Sequence, residues 1–197
     1  MRRTDHDVVV TGMGAVSAFG TGAQALWDGL SNGHSAIRPL RHPRAAELKI
    51  GIAAQVPEEF NPAAVIDERR LAMLDRTSQF ALVAAHEADV SQNATAERAG
   101  AIIGTGIGGE TTHDEQSQRL YGEGASRVHP LTIVRMMTNA AASQVSIAFG
   151  LKGPSFVVAS ACASSNHAVA QAVQLIRSGV ADVIVTGGTE ACLTYGA

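Results

Sequence analysis

The stretch FVVASACASS, residues 156–165, joins an apolar run typical of a buried strand to a long apolar helix pattern that continues to residue 178. Cys162 therefore lies where the strand turns into the helix. The first N–H groups of a helix have no partner within it and carry the positive end of its dipole, so a sulfur there is stabilised as a thiolate. The small neighbouring residues permit a sharp turn and the approach of a substrate carbonyl to backbone N–H groups. The stretch predicts a nucleophilic cysteine, against the alternative of a small packed residue.

Outward from this stretch, apolar runs alternate with helical patterns. We predict strands at residues 101–103, 156–159 and 183–185, an extended segment at 50–56, and a short apolar run at 8–10 that ends in glycines. Because these runs are continuously apolar and do not alternate with polar residues, they favour an α/β fold with a mixed or parallel sheet covered on both faces.

The helical patterns have their own start and stop signals. A capping box at residues 21–24 predicts a helix that stops at Gly33, and a second helix spans 77–88 and buries Phe80, Val83 and Ala84. Two helices are predicted between residues 109 and 149, with breaks around 122–124 and at Pro130. A final helix covers 163–178.

Composition describes an ordinary globular domain, with 46% hydrophobic and 17% charged residues in a chain of 197. The formal net charge of −3, without a run of Lys or Arg, argues against nucleic acid or an anionic membrane as partner. Two cysteines, no signal peptide pattern and no apolar stretch long enough to cross a bilayer predict a soluble, cytoplasmic protein.

Four segments, taken together and in order, carry a resemblance to a known family. They are VVVTGMG at 8–14, GTGIGG at 104–109, GPS at 153–155 followed by SACASS at 160–165, and DVIVTGGTE at 182–190. The chain resembles the β-ketoacyl-acyl carrier protein synthases, the elongating condensing enzymes of the thiolase superfamily. The resemblance implies a thiolase-like layered αβαβα fold of two similar halves, of which residues 1–197 are the N-terminal half.

The resemblance also implies roles for individual residues. Cys162 would be the nucleophile and, through its own backbone N–H, an oxyanion donor; Ile107 and Ala161 would bind substrate, and Arg69 and Arg127 would dock the acyl carrier protein. Residues 71–73 depart from the family, which tends to carry further basic residues there.

The reaction implied is the decarboxylative condensation of a cysteine-bound acyl group with a malonyl thioester, in fatty acid or polyketide synthesis, and it needs neither a metal nor a redox cofactor. We expect a homodimer, or a heterodimer with a related synthase subunit, that pairs through residues 155–160 and shares residues 136–139 between pockets. The family's second half, with two histidines and a lysine, is absent from this chain. We therefore expect the chain alone to be inactive in condensation and unstable as a monomer.

Two other functions compete with this interpretation. The first is a non-condensing partner of a synthase heterodimer that sets chain length or has a structural role. The presence of Cys162 argues against it, because such partners usually lack this thiol. An NAD-dependent oxidoreductase is the other, because Gly104, Gly106 and Gly109 satisfy G-x-G-x-x-G after a strand. That fingerprint also needs an acidic residue at the end of a second strand about 20 residues on, and Glu123 lies in a glycine-flanked loop.

The remaining candidate residues are assigned structural roles. His167 lies five residues after Cys162, which places it about 140° around a helix, and we interpret it as a packed or capped helix residue outside the site. The run His113-Asp114-Glu115 is interpreted as a solvated face and not as a metal site. Cys192 follows no small-residue turn and is interpreted as structural.

Overall fold

The computed structural model describes residues 7–90 and 94–196. Its helices, in chain order, are α1 (Ala23–Ser31), α2 (Glu68–Leu71), α3 (Arg76–Glu87), α4 (Glu110–Ser117), α5 (Thr132–Met136), α6 (Ala140–Phe149) and α7 (Ser164–Arg177). Its strands are β1 (Val16–Ser17), β2 (Gly20–Thr21), β3 (Arg38–Pro39), β4 (Ile52–Ala53), β5 (Ala99–Gly104), β6 (Ser155–Val158) and β7 (Val183–Gly188). A single π-helical turn, Gln118–Gly122, extends α4.

The main sheet has three parallel strands in the order β6-β5-β7, with β5 in the centre. Ala101 pairs with Ser155 of β6 and with Val185 of β7, and the register continues to Gly104, which lies opposite Val158 and Gly188. All three strands therefore end at the same edge. The parallel sheet and its three predicted strands are confirmed. The short strands β1 with β2 and β3 with β4 form separate antiparallel pairs.

Both faces of the sheet are covered, as predicted. On one face, Ile102 of β5 packs with Ala168 and Ala172 of α7. On the other face, Ala101 and Ile103 pack with a larger cluster from α3 and α6, whose fully buried members include Leu82, Ala141, Ala142 and Val145. Helix, sheet and helix thus form three layers, with α7 alone on its side.

Helix α1 is present, but the predicted capping box is wrong. Its N-cap is Gly22, which makes no side-chain cap hydrogen bond. The carboxylate of Glu87, on α3, accepts the N–H of Ala23 at 2.7 Å and that of Ala15 at 2.8 Å. A side chain distant in sequence therefore satisfies the first donor of α1, and it also ties the segment before the helix to α3. The predicted stop is confirmed, since Gly33 follows the C-cap Asn32 with a φ of 67°.

The short apolar run at 8–10 is not part of a strand, and Val9 and Val10 are 71% and 79% exposed. The backbone just beyond them packs on α3, because a Cβ at Gly12 or Gly14 would lie within 2 Å of the carbonyl oxygens of Ala88 and Ala84. Between 109 and 149 there are three α-helices and not two, although the predicted breaks at 122–124 and Pro130 are present.

In α3, Val83 is buried as predicted, whereas Phe80 and Ala84 are half-buried. Asp75, the N-cap of α3, is 1% exposed. Its carboxylate accepts the N–H of Thr77 at 2.8 Å, and from α4 it accepts the N–H and the hydroxyl of Thr112 at 2.8 and 2.7 Å. One buried carboxylate therefore joins the starts of two helices.

An ion pair holds the other end of the sheet. Arg98, just before β5, donates from Nε to Asp182, just before β7, at 2.6 Å. This guanidinium lowers the pKa of the Asp182 carboxyl. Among the described residues, no helix is both long enough and apolar enough to cross a membrane.

Candidate active site

Cys162 lies exposed in the turn between β6 and α7, at the sheet edge where all three strands end. Ala161, immediately before it, has a φ of 49°, in the left-handed region that a residue with a Cβ enters at a cost of about 1–2 kcal/mol. The turn is therefore sharp, as the small residues predict. Side-chain oxygens and backbone groups on either side of Cys162 hold it in that shape.

Ser164, the first residue of α7, is buried and supports the turn. Its hydroxyl oxygen accepts the N–H of Ser160 at 2.8 Å. Its single proton has two carbonyl acceptors within reach, that of Ala161 at 2.7 Å and that of Thr105 at 3.1 Å. The N–H of Ala163 donates to the carbonyl of Ser160. Among the described residues, none accepts a hydrogen bond from the N–H of Cys162. That donor is available to a bound oxyanion.

Glycines let α7 lie against the sheet at this point. A Cβ at Gly104, the last residue of β5, would lie 2.4 Å from the backbone carbonyl carbon of Ser164, and one at Gly188 would lie 2.7 Å from the Cβ of Ser165. Neither position has room for a side chain. The close approach fixes the start of α7, and with it Cys162, relative to the strand ends.

The loop after β5, residues 105–109, lies beside the cysteine turn. A Cβ at Gly106 would be 3.8 Å from the Cα of Ala161. The carboxylate of Glu190, just after β7, accepts the N–H of Gly106 at 2.6 Å and the hydroxyl of Thr105 at 3.1 Å. Sequence reasoning assigned no role to Glu190. The carboxylate ties the ends of β5 and β7 together next to the turn.

The far side of this loop packs on the segment after α5. A Cβ at Gly108 would lie 2.8 Å from the Cα of Thr138, and one at Gly109 would lie 2.5 Å from the Cα of Met136. These two glycines therefore let the loop pack closely against a neighbouring segment. This packing also brings residues 136–138 next to the loop that carries Ile107.

The same loop does not suit a dinucleotide. It does join a strand to a helix, but three of its N–H groups are already bonded. Gly106 donates to the Glu190 carboxylate, Gly108 to the hydroxyl of Thr105 at 3.0 Å, and Gly109 to the carbonyl of Met136 at 3.3 Å. A pyrophosphate needs free N–H groups at this turn and would meet the negative charge of Glu190.

The other predicted site residues are distributed as follows. Ile107 is 49% exposed in the loop beside Ala161. Arg69, on α2, and Arg127, before α5, are exposed, and neither forms an ion pair with another residue in the described ranges. By contrast, Arg70 donates to the carbonyl oxygen of Gln144 at 2.7 Å and is held against α6.

The interpretation of His167 as a packed residue is wrong. Its side chain is exposed, and its Nδ1 lies 2.7 Å from the hydroxyl oxygen of Ser160. The angle of about 140° applies to residues within one helix, and Cys162 is not part of α7. The partner of His167 is Ser160, which lies between β6 and α7, so helical geometry does not predict this contact.

The acidic run after the loop has ordinary partners. Nδ1 of His113 lies 3.3 Å from the Glu110 carboxylate, and Asp114 accepts the N–H of Tyr195. Within the ranges 7–90 and 94–196, no three His, Cys, Asp or Glu side chains group as metal ligands. Cys192 is a free, half-buried thiol.

Comparisons with known proteins relate the chain to one family. Residues 5–197 match the family model described as the N-terminal domain of β-ketoacyl synthase. The chain is 41% identical over 196 residues to nodulation protein E of Rhizobium meliloti (strain 1021), and 35% identical over 194 residues to 3-oxoacyl-[acyl-carrier-protein] synthase 2 of Staphylococcus aureus (strain COL). The alignments cover 97% and 95% of this chain but 48% and 46% of those proteins. The chain thus spans about half the length of the curated relatives it matches.

The fold is similar to that of solved ketosynthase structures. The solved structure of the ishigamide ketosynthase/chain length factor superimposes with a TM-score of 0.78 at 26% sequence identity, over 92% of this chain and 52% of that one. The structural neighbours are ketosynthases with the thiolase-like fold, and the predicted α/β fold class is confirmed.

Proposed function

The chain belongs to the β-ketoacyl synthase family, whose N-terminal domain it matches over residues 5–197, and from that premise we propose that Cys162 accepts an acyl group from a thioester. The observation that carries the proposal is the exposed thiol at a strained strand-to-helix turn, beside an N–H that no described residue uses. A nucleophile and an oxyanion donor in one residue suit acyl transfer.

The first half-reaction follows from this geometry. The Cys162 thiolate attacks the carbonyl carbon of the incoming thioester, and a new C–S bond forms. The carbonyl oxygen becomes an oxyanion within reach of the Cys162 N–H, which stabilises the tetrahedral intermediate. The bond to the carrier sulfur then breaks, the carrier leaves as a thiol after taking a proton, and the acyl group stays on Cys162.

The second half-reaction forms the new carbon–carbon bond. A malonyl thioester loses carbon dioxide, and the resulting carbanion attacks the acyl group on Cys162. The products are a 3-oxoacyl thioester and the free Cys162 thiolate. We propose that the two histidines that assist this step belong to a C-terminal half outside residues 1–197, so that this chain alone acylates but does not condense. We propose that this chemistry serves fatty acid or polyketide synthesis, and the relatives named 3-oxoacyl-[acyl-carrier-protein] synthase 2 and ketosynthase support that proposal.

Two exposed arginines are the candidates for docking the carrier. Arg69 and Arg127 are exposed cations without a paired carboxylate in the part of the chain that the structure describes. An acidic carrier protein gains charge-assisted contacts with such residues, and the pairing directs its approach. We propose that these two arginines dock the acyl carrier protein, and that Ile107 contacts the acyl chain beside Ala161.

A role as a non-condensing partner has one observation in its favour. A similar solved structure is that of a ketosynthase/chain length factor, whose name joins a synthase to a second subunit. The proposal for this chain is nevertheless the acylating subunit, because the thiol and its free N–H have no use in a subunit that only shapes a pocket.

Labelling the nucleophile tests the proposal. The protein is incubated with an acyl thioester or a cerulenin-like inhibitor, and the adduct is located by intact-mass and peptide mass spectrometry. We expect one adduct, on Cys162, and its loss in Cys162→Ala. The half-buried Cys192 serves as the control thiol in the same molecule.

Equal labelling of both cysteines would contradict the proposal, because it would show that Cys162 has no special reactivity. Turnover of malonyl thioester by residues 1–197 alone would contradict the division of the reaction between two halves. Labelling confined to Cys162, without turnover, is the expected result.

A further inference from the structure

A serine and a histidine bracket the candidate nucleophile without belonging to the mechanism described above. The hydroxyl oxygen of Ser160 lies 2.7 Å from Nδ1 of His167. Ser160 follows β6 by two positions, and His167 lies in the first turn of α7. The hydrogen bond therefore spans the turn that contains Cys162, from the strand side to the helix side.

Ser160 is held by three separate bonds. Its N–H donates to the hydroxyl of Ser164, its carbonyl accepts the N–H of Ala163, and its side chain bonds His167. The first two end at Ala163 and Ser164, at the start of α7. The third ends at His167, three residues further along α7, so among the described residues His167 carries the contact of Ser160 furthest into the helix.

This contact matters because the turn is strained. Ala161 holds a left-handed φ of 49° between Ser160 and Cys162. A strained residue keeps its conformation only when its surroundings over-determine it. Loss of one restraint on Ser160 allows Ala161 to relax, and that movement is passed directly to the N–H and the sulfur of Cys162.

We propose that His167 is a positioning residue for Cys162 that acts through Ser160. It keeps the Cys162 N–H and sulfur in the relative orientation that acyl transfer requires, and it does not itself touch the substrate. The inference rests on the proposed function, since it assigns His167 a part in the acylation of Cys162.

The bond is possible in either neutral form of the imidazole. Nδ1 accepts the Ser160 hydroxyl proton when Nε2 carries the ring proton, and Nδ1 donates to the hydroxyl oxygen in the other tautomer. An asparagine at position 167 places an amide nitrogen or oxygen close to where Nδ1 lies, so it can replace the histidine in this bond. An alanine cannot.

The test compares the full chain with His167→Ala, His167→Asn and Ser160→Ala. The probe is a hexanoyl thioester of N-acetylcysteamine, which needs no carrier docking, and the rate of acylation at Cys162 is followed by mass spectrometry. We expect His167→Ala and Ser160→Ala each to slow acylation about five- to tenfold, the factor that one net hydrogen bond represents. His167→Asn should recover most of the rate.

Two controls separate positioning from a general loss of structure. Gln171→Ala removes an exposed polar side chain one turn further along α7 and should leave the rate within about twofold. Alkylation by iodoacetamide requires an accessible thiolate but no oxyanion donor, so at Cys162 it should change much less than acylation. An increase at the half-buried Cys192 would instead show that the fold has loosened, and would overturn the inference.

A second measurement does not depend on acylation. Amide hydrogen exchange of residues 159–164 should be faster in His167→Ala than in the wild type. In His167→Asn the exchange rate should return to the wild-type value. Unchanged exchange, or no rescue by asparagine, would overturn the inference. Failure of the wild-type chain to acylate Cys162 at all would count against the proposed function and leave the exchange result to decide the role of His167.

Discussion

At the scale of single residues, the turn around Cys162 holds two exposed alanines in opposite backbone conformations. Ala161 has a φ of 49°, and Ala163 has a φ of −87°. The left-handed region costs an L-residue about 1–2 kcal/mol and costs glycine almost nothing. The two positions therefore form a matched pair for measuring the strain stored beside the nucleophile.

We predict different effects of glycine at the two alanines. Ala161→Gly should stabilise the protein by about 1 kcal/mol, because it relieves the positive φ. Ala163→Gly should leave the stability within about 0.5 kcal/mol, because the preference for glycine over alanine at an N-cap offsets the freedom that glycine adds to the unfolded chain. Midpoints of thermal or urea unfolding measure both. An Ala161→Gly protein no more stable than Ala163→Gly would show that the turn is unstrained.

The nucleophile could be predicted from the sequence, whereas its support could not. A cysteine among small residues between an apolar run and a helix pattern is a local signal, and it led to Cys162. The bonds that hold the turn come from Ser164, His167 and, through the neighbouring loop, Glu190. Glu190 is 84 positions away from the N–H it accepts, and no periodicity relates the two.

At the scale of helices and strands, Asp75 is the residue whose substitution should lower the free energy of unfolding most. Its buried carboxylate bonds Thr77 in α3 and Thr112 in α4. Asp75→Ala would leave two backbone N–H groups and a hydroxyl buried without partners. We predict a loss of about 3 kcal/mol in the free energy of unfolding, since each unsatisfied buried donor costs about 1–3 kcal/mol.

Asp67 provides the matched control, because it also caps a helix with its carboxylate, accepting the N–H of Arg70 at 2.9 Å, but it is exposed. Asp67→Ala should cost about 1 kcal/mol. Urea unfolding of the two variants gives the comparison. Equal losses would show that the bond from Asp75 to α4 contributes little.

Strand β6 lies at an edge of the sheet, and the expected dimer would pair there. The carbonyl of Pro154 accepts the N–H of Ala101 in β5, and that of Val158 accepts the N–H of Thr105 just after β5. Successive residues of a strand bond to opposite sides, so the N–H of Val157 points to the open side. We predict that Val157→Pro prevents dimer formation, because it removes that donor without breaking a bond to β5. Sedimentation velocity would measure the shift from dimer to monomer.

Val157→Thr keeps the N–H and nearly the same shape, so it should still form the dimer. A Val157→Pro protein that remains dimeric would show that β6 is not the pairing edge. Thermal unfolding of both variants confirms that the sheet itself is intact.

Elements with a strong local sequence pattern could be predicted from the sequence. Segments whose structure depends on contacts with distant residues could not. Strand β5 and helices α3 and α7 combine length, apolar pattern and flanking turns, and they were predicted within a few residues. Residues 8–10 have the composition of a strand, but pairing needs a free edge as well, and the chain there turns onto α3 through Gly12 and Gly14. Composition does not encode the position of that edge.

At the scale of the whole molecule, large apolar side chains are unusually exposed on the N-terminal part of the chain. Trp27 is 66% exposed, and it is accompanied by Val9, Val10, Met13, Leu30, Ile37, Ile50 and Ile52, each at least half exposed. We infer that these side chains belong to one apolar patch, of the kind that marks an interface. We propose that a C-terminal half, of the kind that makes the relatives about twice as long, covers it.

We predict that residues 1–197 alone bind a fluorescent apolar dye and associate at micromolar concentration. Addition of a complementary C-terminal half should suppress both, because the same surface would then be buried. Dye fluorescence and sedimentation velocity measure the change. A monomer that binds no dye and unfolds cooperatively would contradict the prediction. The double variant Trp27→Lys, Leu30→Lys should bind less dye than the wild type, because it removes two of the exposed apolar side chains.

The carboxylate that satisfies the start of α1 sets an order of events during synthesis. Nine residues make a helix that is marginal in water without tertiary support. Glu87 leaves the ribosome long after α1 does, so the first helix emerges before its cap exists and has to wait for α3. A nascent chain that stops before residue 87 should therefore present α1 as an unformed segment, open to proteases and chaperones until the third helix arrives.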